Sequence, residues 1–112
     1  LTLCYQPYDF TDTDRALALA DRVAGRISHI HLQAPRSKAR GGGYDWLEEA
    51  ALDYRRLIPH LLRRHPDATL TIEFVKDCLQ PAAEFDLERV LENAARDGRF
   101  VESVRAGLES RA

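Results

Sequence analysis

The stretch RISHIHLQ, residues 26–33, decides the fold because it alternates like a β-strand and carries histidines on one face. Successive side chains of a strand point to opposite sides. One predicted face carries Ser28, Ile30 and Leu32. The other carries Ile27, His29, His31 and Gln33. Imidazole and amide groups along a strand predict either the lining of a site or a set of polar side chains that satisfy one another.

Two further segments alternate in the same way. LTLCYQ (residues 1–6) and TLTIEFV (residues 69–75) each place apolar side chains on one face and mostly polar ones on the other. A doubly wound parallel sheet is buried on both faces, and its strands read as continuous apolar runs. These strands instead predict a sheet with one polar face that lines a site. This polar face comprises Thr2, Cys4, Gln6, His29, His31, Gln33, Thr69, Thr71 and Glu73.

Amphipathic helices are predicted between the strands. TDRALALADRVAG (residues 13–25) has apolar residues at helical spacing, with Thr11 or Asp12 as its cap. Asp53 is predicted to cap YRRLIPHLLRRH (residues 54–65), whose His60 and His65 are expected to face solvent. LERVLENAARDG (residues 87–98) and a separate last helix, RFVESVRAGLESR (residues 99–111), follow the third strand. The order β-α-β-α-β-α-α predicts parallel strands, and the polar inner face favours a partial (β/α) barrel.

Length, charge and cysteine content bound the function. The 112 residues form one domain at most, and 18 acidic against 16 basic residues leave no positive excess for a nucleic acid. No segment predicts a transmembrane helix or a signal peptide, so no membrane partner is expected. Cys4 and Cys78 form no metal motif, and a reduced, cytoplasmic setting is expected. The lack of methionine and the start inside an apparent strand predict a piece of a longer protein.

The last polar residues of the three strands are candidates for chemistry. Gln6, either His31 or Gln33, and Glu73 are predicted to converge, because the C-terminal ends of parallel barrel strands meet at one mouth. Histidine and carboxylate are ligands of divalent cations such as Mn²⁺, Co²⁺, Mg²⁺ or Zn²⁺. An unpaired carboxylate among apolar neighbours is unfavourable. Glu73 is therefore expected to contact a cation, a ligand, or an arginine or lysine of a neighbouring loop.

Candidate substrate-binding residues surround this mouth. Gln6 and His29 lie on the polar face, and the loop that follows carries Arg36 and Arg40 before the glycines at residues 41–43. Cationic side chains there can hold sugar hydroxyls, a carboxylate or a phosphate, or they can simply be solvated. Trp46 can form an apolar wall for a sugar ring, or it can belong to the core.

Several motifs together resemble a known family. RISHIHLQ, a glycine-containing loop, EEAALDYRRLIPHLL and ATLTIEFV follow one another as in the C-terminal part of the xylose isomerase-like TIM barrels. That superfamily includes isomerases and epimerases of sugars and sugar phosphates, and endonuclease IV-type DNA repair enzymes. The resemblance implies an α/β fold of parallel β/α units, with residues 1–112 as a single C-terminal segment of a (β/α)8 barrel. The remainder of the barrel, or another copy in a homo-oligomer, is then expected to cover the polar face.

The resemblance also implies a ligand set. Epimerase-type members hold one divalent metal with Glu, Asp, His and Glu from four successive strands. His31 and Glu73 match the last two ligands, and Glu73 is also the implied catalytic acid or base. Gln6 stands where the aspartate is expected, Asp9 follows three residues later, and the first glutamate would precede Leu1. The chain by itself is therefore not expected to catalyse a reaction.

The implied function is that of a metal-dependent isomerase or epimerase of a small sugar or sugar phosphate. Its chemistry is proton transfer next to a metal-polarised carbonyl. The alternative is a non-catalytic binding or interaction module that has lost its metal site, as Gln6 suggests. A DNA repair hydrolase is disfavoured, because such enzymes need more histidine and carboxylate ligands and a basic surface.

Overall fold

The computed structural model of the chain describes residues 1–7, 10–36 and 42–110, with residues 109 and 110 as backbone only. The elements in chain order are β1 (Leu3–Tyr5), α1 (Thr13–Arg22), β2 (Ile27–Leu32), a 3-10 helix (Leu47–Glu49), α2 (Tyr54–Arg64), β3 (Thr69–Ile72) and α3 (Leu87–Ser110). Within this part of the chain, no helix has both the length and the apolar character needed to cross a bilayer.

The three strands form one open parallel sheet in the order β1-β2-β3. The predicted partial (β/α)8 barrel is therefore wrong. The strands are three, six and four residues long, whereas barrel closure takes about eight tilted strands and a TIM barrel about 250 residues. The predicted parallel pairing is confirmed, because β2 pairs in parallel with both β1 and β3. A helix lies in each connection between neighbouring strands.

The core lies between the sheet and the helices. Ile30 and Leu32 of β2 are completely or almost completely buried, and they pack with the apolar residues of α2. The buried side chains of α2 are Tyr54, Leu57, Ile58, Leu61 and Leu62. This helix contacts α1 on one side and α3 on the other. It is the central helix of the layer that covers the apolar face of the sheet.

A bulge changes the predicted alternation of β2. Leu3 pairs with Ile27 and Cys4 pairs with His29, so Ser28 is an extra residue opposite β1. Ile27 is consequently buried with the core, whereas Ser28 is exposed and donates a hydrogen bond to the Thr2 hydroxyl at 2.9 Å. The predicted faces of these two residues are therefore interchanged. From His29 onward the predicted alternation holds.

Local signals fix the helix starts. The Asp12 side chain accepts a hydrogen bond from the backbone N–H of Arg15, and the Asp53 side chain accepts one from Arg55, which confirms both predicted caps. The last two predicted helices are instead one helix, α3, of 24 residues. Gly98 lies in its middle with helical geometry, so this glycine does not terminate the helix.

His65 is buried, contrary to the prediction that it faces solvent. The residue is 6 % exposed and follows the last turn of α2. Its Nε2 accepts the Gly25 backbone N–H at 2.7 Å, so the proton is on Nδ1, which donates to the Leu61 carbonyl at 3.1 Å. The imidazole thus connects the end of α2 to the turn before β2.

Candidate functional site

The candidate site lies at the C-terminal ends of β2 and β3. His31 pairs with Thr71 and Leu32 pairs with Ile72 in the parallel register. The Glu73 backbone N–H continues this ladder by donating to the Leu32 carbonyl at 3.0 Å. In open parallel sheets, ligands bind at the carboxyl ends of the strands. The predicted convergence of His31 and Glu73 therefore falls where the topology favours a site.

His31 and Glu73 are near neighbours. The His31 Nδ1 atom lies 3.5 Å from Glu73 Oε2, and the two side chains are 26 % and 29 % exposed. A short hydrogen bond would need a separation of about 2.7–3.2 Å. Two ligands of one tetrahedral metal ion, each about 2.1 Å from it, lie about 3.4 Å apart. The observed spacing is thus longer than a short hydrogen bond and is compatible with two ligands of one cation.

Gln33 shares the same carboxylate oxygen. Its side-chain Nε2 donates a hydrogen bond to Glu73 Oε2 at 2.7 Å. The residue is 5 % exposed, and its backbone is held by the Tyr54 hydroxyl, which donates to the Gln33 carbonyl at 2.5 Å. Burial raises the pKa of Tyr54 to about 12, with the Gln33 hydrogen bond lowering it and Tyr5 raising it further. The phenol therefore keeps its proton as a donor at neutral pH.

His29 lies beside the pair. Its Nδ1 contacts the Thr69 hydroxyl, and its Nε2 lies 3.0 Å from the Thr71 hydroxyl. Its ring meets the His31 ring edge-on, with centroids 5.0 Å apart and planes at 84°. Both nitrogens of His29 are thus engaged with threonines, which leaves His31 as the imidazole directed to Glu73.

The aspartate position of the implied ligand set directly follows β1. Tyr5 pairs with Ile30, so Gln6 follows at the position opposite His31. Gln6 is exposed on the polar face and offers a neutral carbonyl oxygen where a carboxylate is expected. Asp9, the nearest carboxylate along the chain, lies outside the described residues.

Arg36 is paired with a carboxylate of its own loop. Its Nε donates to Asp45 Oδ1 at 2.7 Å, with both side chains half-buried. Both residues line a cavity of about 450 Å³, together with Phe10 and Ala50 among others. The cavity is thus lined by the Arg36–Asp45 ion pair and by apolar side chains, and the charge of Arg36 is balanced by Asp45. Arg40, the other predicted cation of this loop, lies outside the described residues.

Trp46 directly precedes the 3-10 helix and contacts polar side chains of α3. Its indole N–H donates to the Asn93 side chain at 2.9 Å, and two cations, Lys76 Nζ and Arg96 Cζ, lie 3.7 and 3.5 Å from its ring centroid. Arg96 also donates to Glu48 at 2.5 Å. The ring therefore joins the 3-10 helix region to α3 and makes cation–π contacts.

Tyr44 is a polar neighbour of Glu73 that the sequence did not single out. Gly42 and Gly43, with φ of 77° and 82°, turn the chain so that Tyr44 stacks on Phe74 with centroids 4.8 Å apart. Burial raises the pKa of the Tyr44 phenol, and the charges of Cys78 and Glu73 raise it further. The Tyr44 hydroxyl therefore keeps its proton at neutral pH.

His31 and Glu73 carry ligand atoms that suit a divalent cation, but they supply only part of its coordination shell. Among residues 1–7, 10–36 and 42–110, no group of three or more His, Cys, Asp or Glu side chains is arranged to hold a metal ion. His31 and Glu73 can supply two ligands, and structural metal sites use about four. Water, substrate oxygens or another polypeptide segment would have to supply the others.

The sequence pattern indicated Glu73 together with His31 or Gln33, but it did not indicate Tyr44. The amide of Gln33 was visible on the polar face, but its contact with Glu73 depends on strand register. Comparison of the chain with protein-family models, curated proteins and solved structures gives no match. A proposed function therefore depends on the geometry of this site.

Proposed function

We propose that this chain provides the metal-binding part of a cytoplasmic isomerase or epimerase of a small sugar or sugar phosphate. The observation that carries the proposal is the 3.5 Å separation of His31 Nδ1 and Glu73 Oε2 at the ends of two parallel strands. This spacing suits two ligands of one metal ion. The two free thiols, Cys4 and Cys78, suit a reducing compartment.

The chemistry assigned to the residues is proton transfer. A divalent metal would polarise the substrate carbonyl and acidify the adjacent C–H bond. Glu73 is half-exposed and can hold or release a proton at Oε1, the oxygen that the Gln33 amide does not contact. His31 would bind the cation through Nδ1. Water, substrate oxygens or another polypeptide segment would supply the further ligands, and a second acid or base would complete the proton transfer.

Metal binding is the first test. Native mass spectrometry with Mn²⁺, Co²⁺ or Zn²⁺ should show one metal per wild-type chain and none for His31→Ala or Glu73→Gln. His60→Ala is the matched control, because His60 lies on α2 and contacts Asp21 instead of the site. Equal metal binding by the wild type and His31→Ala would contradict the proposal.

Proton transfer has its own signature. A base that removes a proton next to a carbonyl exchanges it with solvent, so ketoses incubated with metal and protein in D₂O should gain deuterium at that carbon. The reaction should be followed by NMR with sugars and sugar phosphates. The preparation should include any further polypeptide segment that supplies metal ligands. Turnover without any deuterium uptake would favour a hydride shift over this chemistry.

One observation favours the second candidate, a binding module without metal. Glu73 Oε2 already accepts a hydrogen bond from Gln33, and both His29 nitrogens are satisfied by threonines. The polar face can therefore be stable with no cation. No metal binding at millimolar concentrations, together with a dimer mass in the same spectra, would favour this candidate.

A further inference from the structure

Gln33 is a buried amide that belongs to neither the predicted ligands nor the apolar core. It is 5 % exposed, although glutamine is mostly an exposed residue type. Its Nε2 lies 2.7 Å from Glu73 Oε2, the oxygen that is also 3.5 Å from His31 Nδ1. The buried amide of Gln33 can therefore hold the Glu73 carboxylate in one orientation.

The Glu73 side chain needs such a partner. It is long, rotatable and 29 % exposed, so an unrestrained carboxylate would occupy several rotamers. One N–H bond from Gln33 uses a single lone pair of Oε2, and the remaining lone pairs can still bind a cation. The amide therefore restricts the carboxylate without competing for all of its acceptor capacity.

Tyr54 in turn restrains Gln33. β2 ends at Leu32, so the backbone of Gln33 lies just beyond the strand. The Tyr54 hydroxyl donates to the Gln33 carbonyl at 2.5 Å and accepts the Gln33 N–H at 3.3 Å. Tyr54 is 1 % exposed and begins α2 directly after the Asp53 cap. The start of a core helix thus fixes the residue that holds Glu73.

We propose that Gln33 is a positioning residue that orients the Glu73 carboxylate toward a metal shared with His31, an inference that rests on the function proposed above. Groups that hydrogen-bond to metal ligands fix the orientation of those ligands, and their loss weakens metal binding. Gln33 acts through Glu73 and does not itself bind the metal.

The test compares Gln33→Leu with Gln80→Leu. Leucine has a similar size to glutamine and no donor, and Gln80 is an exposed loop residue that controls for the same chemical change. Gln33→Leu should bind Co²⁺ about 10–100-fold more weakly than the wild type. The visible absorption bands of bound Co²⁺ should also change, because they report the coordination geometry of the ion, which depends on how the Glu73 carboxylate is held. Gln80→Leu should match the wild type in both respects.

A second variant and a metal-free measurement keep the test decisive. Gln33→Asn retains the amide but is one methylene shorter, so it should weaken Co²⁺ binding in the same direction and can replace a Gln33→Leu variant that does not fold. In the metal-free protein, Glu73→Ala should shift the NMR resonances of the Gln33 side-chain amide. Unmoved resonances would show that the contact is absent and would overturn the inference.

The outcomes separate the two proposals. Wild-type affinity and spectrum in a folded Gln33 variant would overturn the positioning role and leave the metal site standing. A wild-type chain that binds no Co²⁺ would overturn the proposed function and the positioning role with it.

Discussion

Asp97 places a carboxyl group inside the contact between α3 and the 3-10 helix. It is 1 % exposed, and its Oδ1 accepts the Leu47 backbone N–H at 2.9 Å. Among the described residues, its Oδ2 has no hydrogen-bond partner. Burial raises the pKa of Asp97 above 3.8 and Glu48 adds to this, whereas the Leu47 N–H and Arg96 lower it. The folded state therefore holds this proton more tightly than the unfolded state.

This raised pKa predicts a pH dependence of stability. Between 3.8 and the raised pKa, the folded chain binds more protons than the unfolded chain at this site, so the contribution of Asp97 to stability falls as pH rises. Asp97→Asn should remove that decline, so that the unfolding free energy of the variant depends less on pH than that of the wild type as the pH rises above about 4. Urea unfolding followed by circular dichroism measures it.

The control for this prediction is Asp67→Asn, which removes one negative charge from an exposed position. It should retain the wild-type slope. An Asp97→Asn variant with the same slope as the wild type would show that the buried carboxyl group does not control this part of the pH profile.

At the scale of elements, two glycines have opposite conformational roles. Gly98 lies inside α3, and a Cβ atom added there would meet no atom within 4 Å. Gly25 has equally open space but a φ of 86°, in the left-handed region that disfavours other residues. Gly25 also positions the N–H that binds His65. Space is therefore available at both sites, and backbone geometry distinguishes them.

The same substitution should consequently have opposite effects at the two glycines. Gly98→Ala should stabilise the fold by about 0.5–1 kcal/mol, because alanine reduces the entropy of the unfolded chain and favours helix. Gly25→Ala should destabilise it by about 1 kcal/mol or more. Thermal and urea unfolding of both variants test this. Stabilisation by Gly25→Ala would mean that the turn does not need a left-handed residue.

At the scale of the whole molecule, the leucines of α2 are buried in the core, whereas the leucines in the first turns of α3 are exposed. Leu57 in α2 is 0 % exposed at the centre of the core, whereas Leu91 in α3 is 59 % exposed. The sheet has helices on its apolar face, and α3 contributes Phe100 and Val101 of its second half to that core. The stability of the molecule should therefore depend on α2 far more than on the first turns of α3.

Leucine truncation at these two positions tests that dependence. Leu57→Ala should reduce the free energy of unfolding by about 2–5 kcal/mol, because it opens a cavity in the core. Leu91→Ala should change it by less than about 0.5 kcal/mol. Urea unfolding of the two variants gives the comparison. Equal losses would indicate that Leu91 is buried in solution, for example against a second copy.

The sequence predicts the features that depend on local chemistry. The Asp53 cap and the adjacent Tyr54 fix the start of α2, and the place of Glu73 at the end of a parallel strand follows from the alternation of TLTIEFV. The bulge at Ser28 and the burial of His65 depend on partners that are 24 or more residues away, so no local pattern reveals them. The barrel prediction failed because sheet closure depends on strand number, and alternation within each strand does not determine it.

The contacts of Trp46 make it an intrinsic fluorescence probe of the packing of α3. Trp46 is the single tryptophan of the chain, and its indole touches Asn93 and Arg96 of α3. Its fluorescence emission therefore comes from one place, where the segment after the glycine loop meets α3. Separation of α3 should shift the emission to longer wavelength, since the indole would then be hydrated. Fluorescence can thus follow the docking of α3 independently of the sheet, whose strands contain no tryptophan.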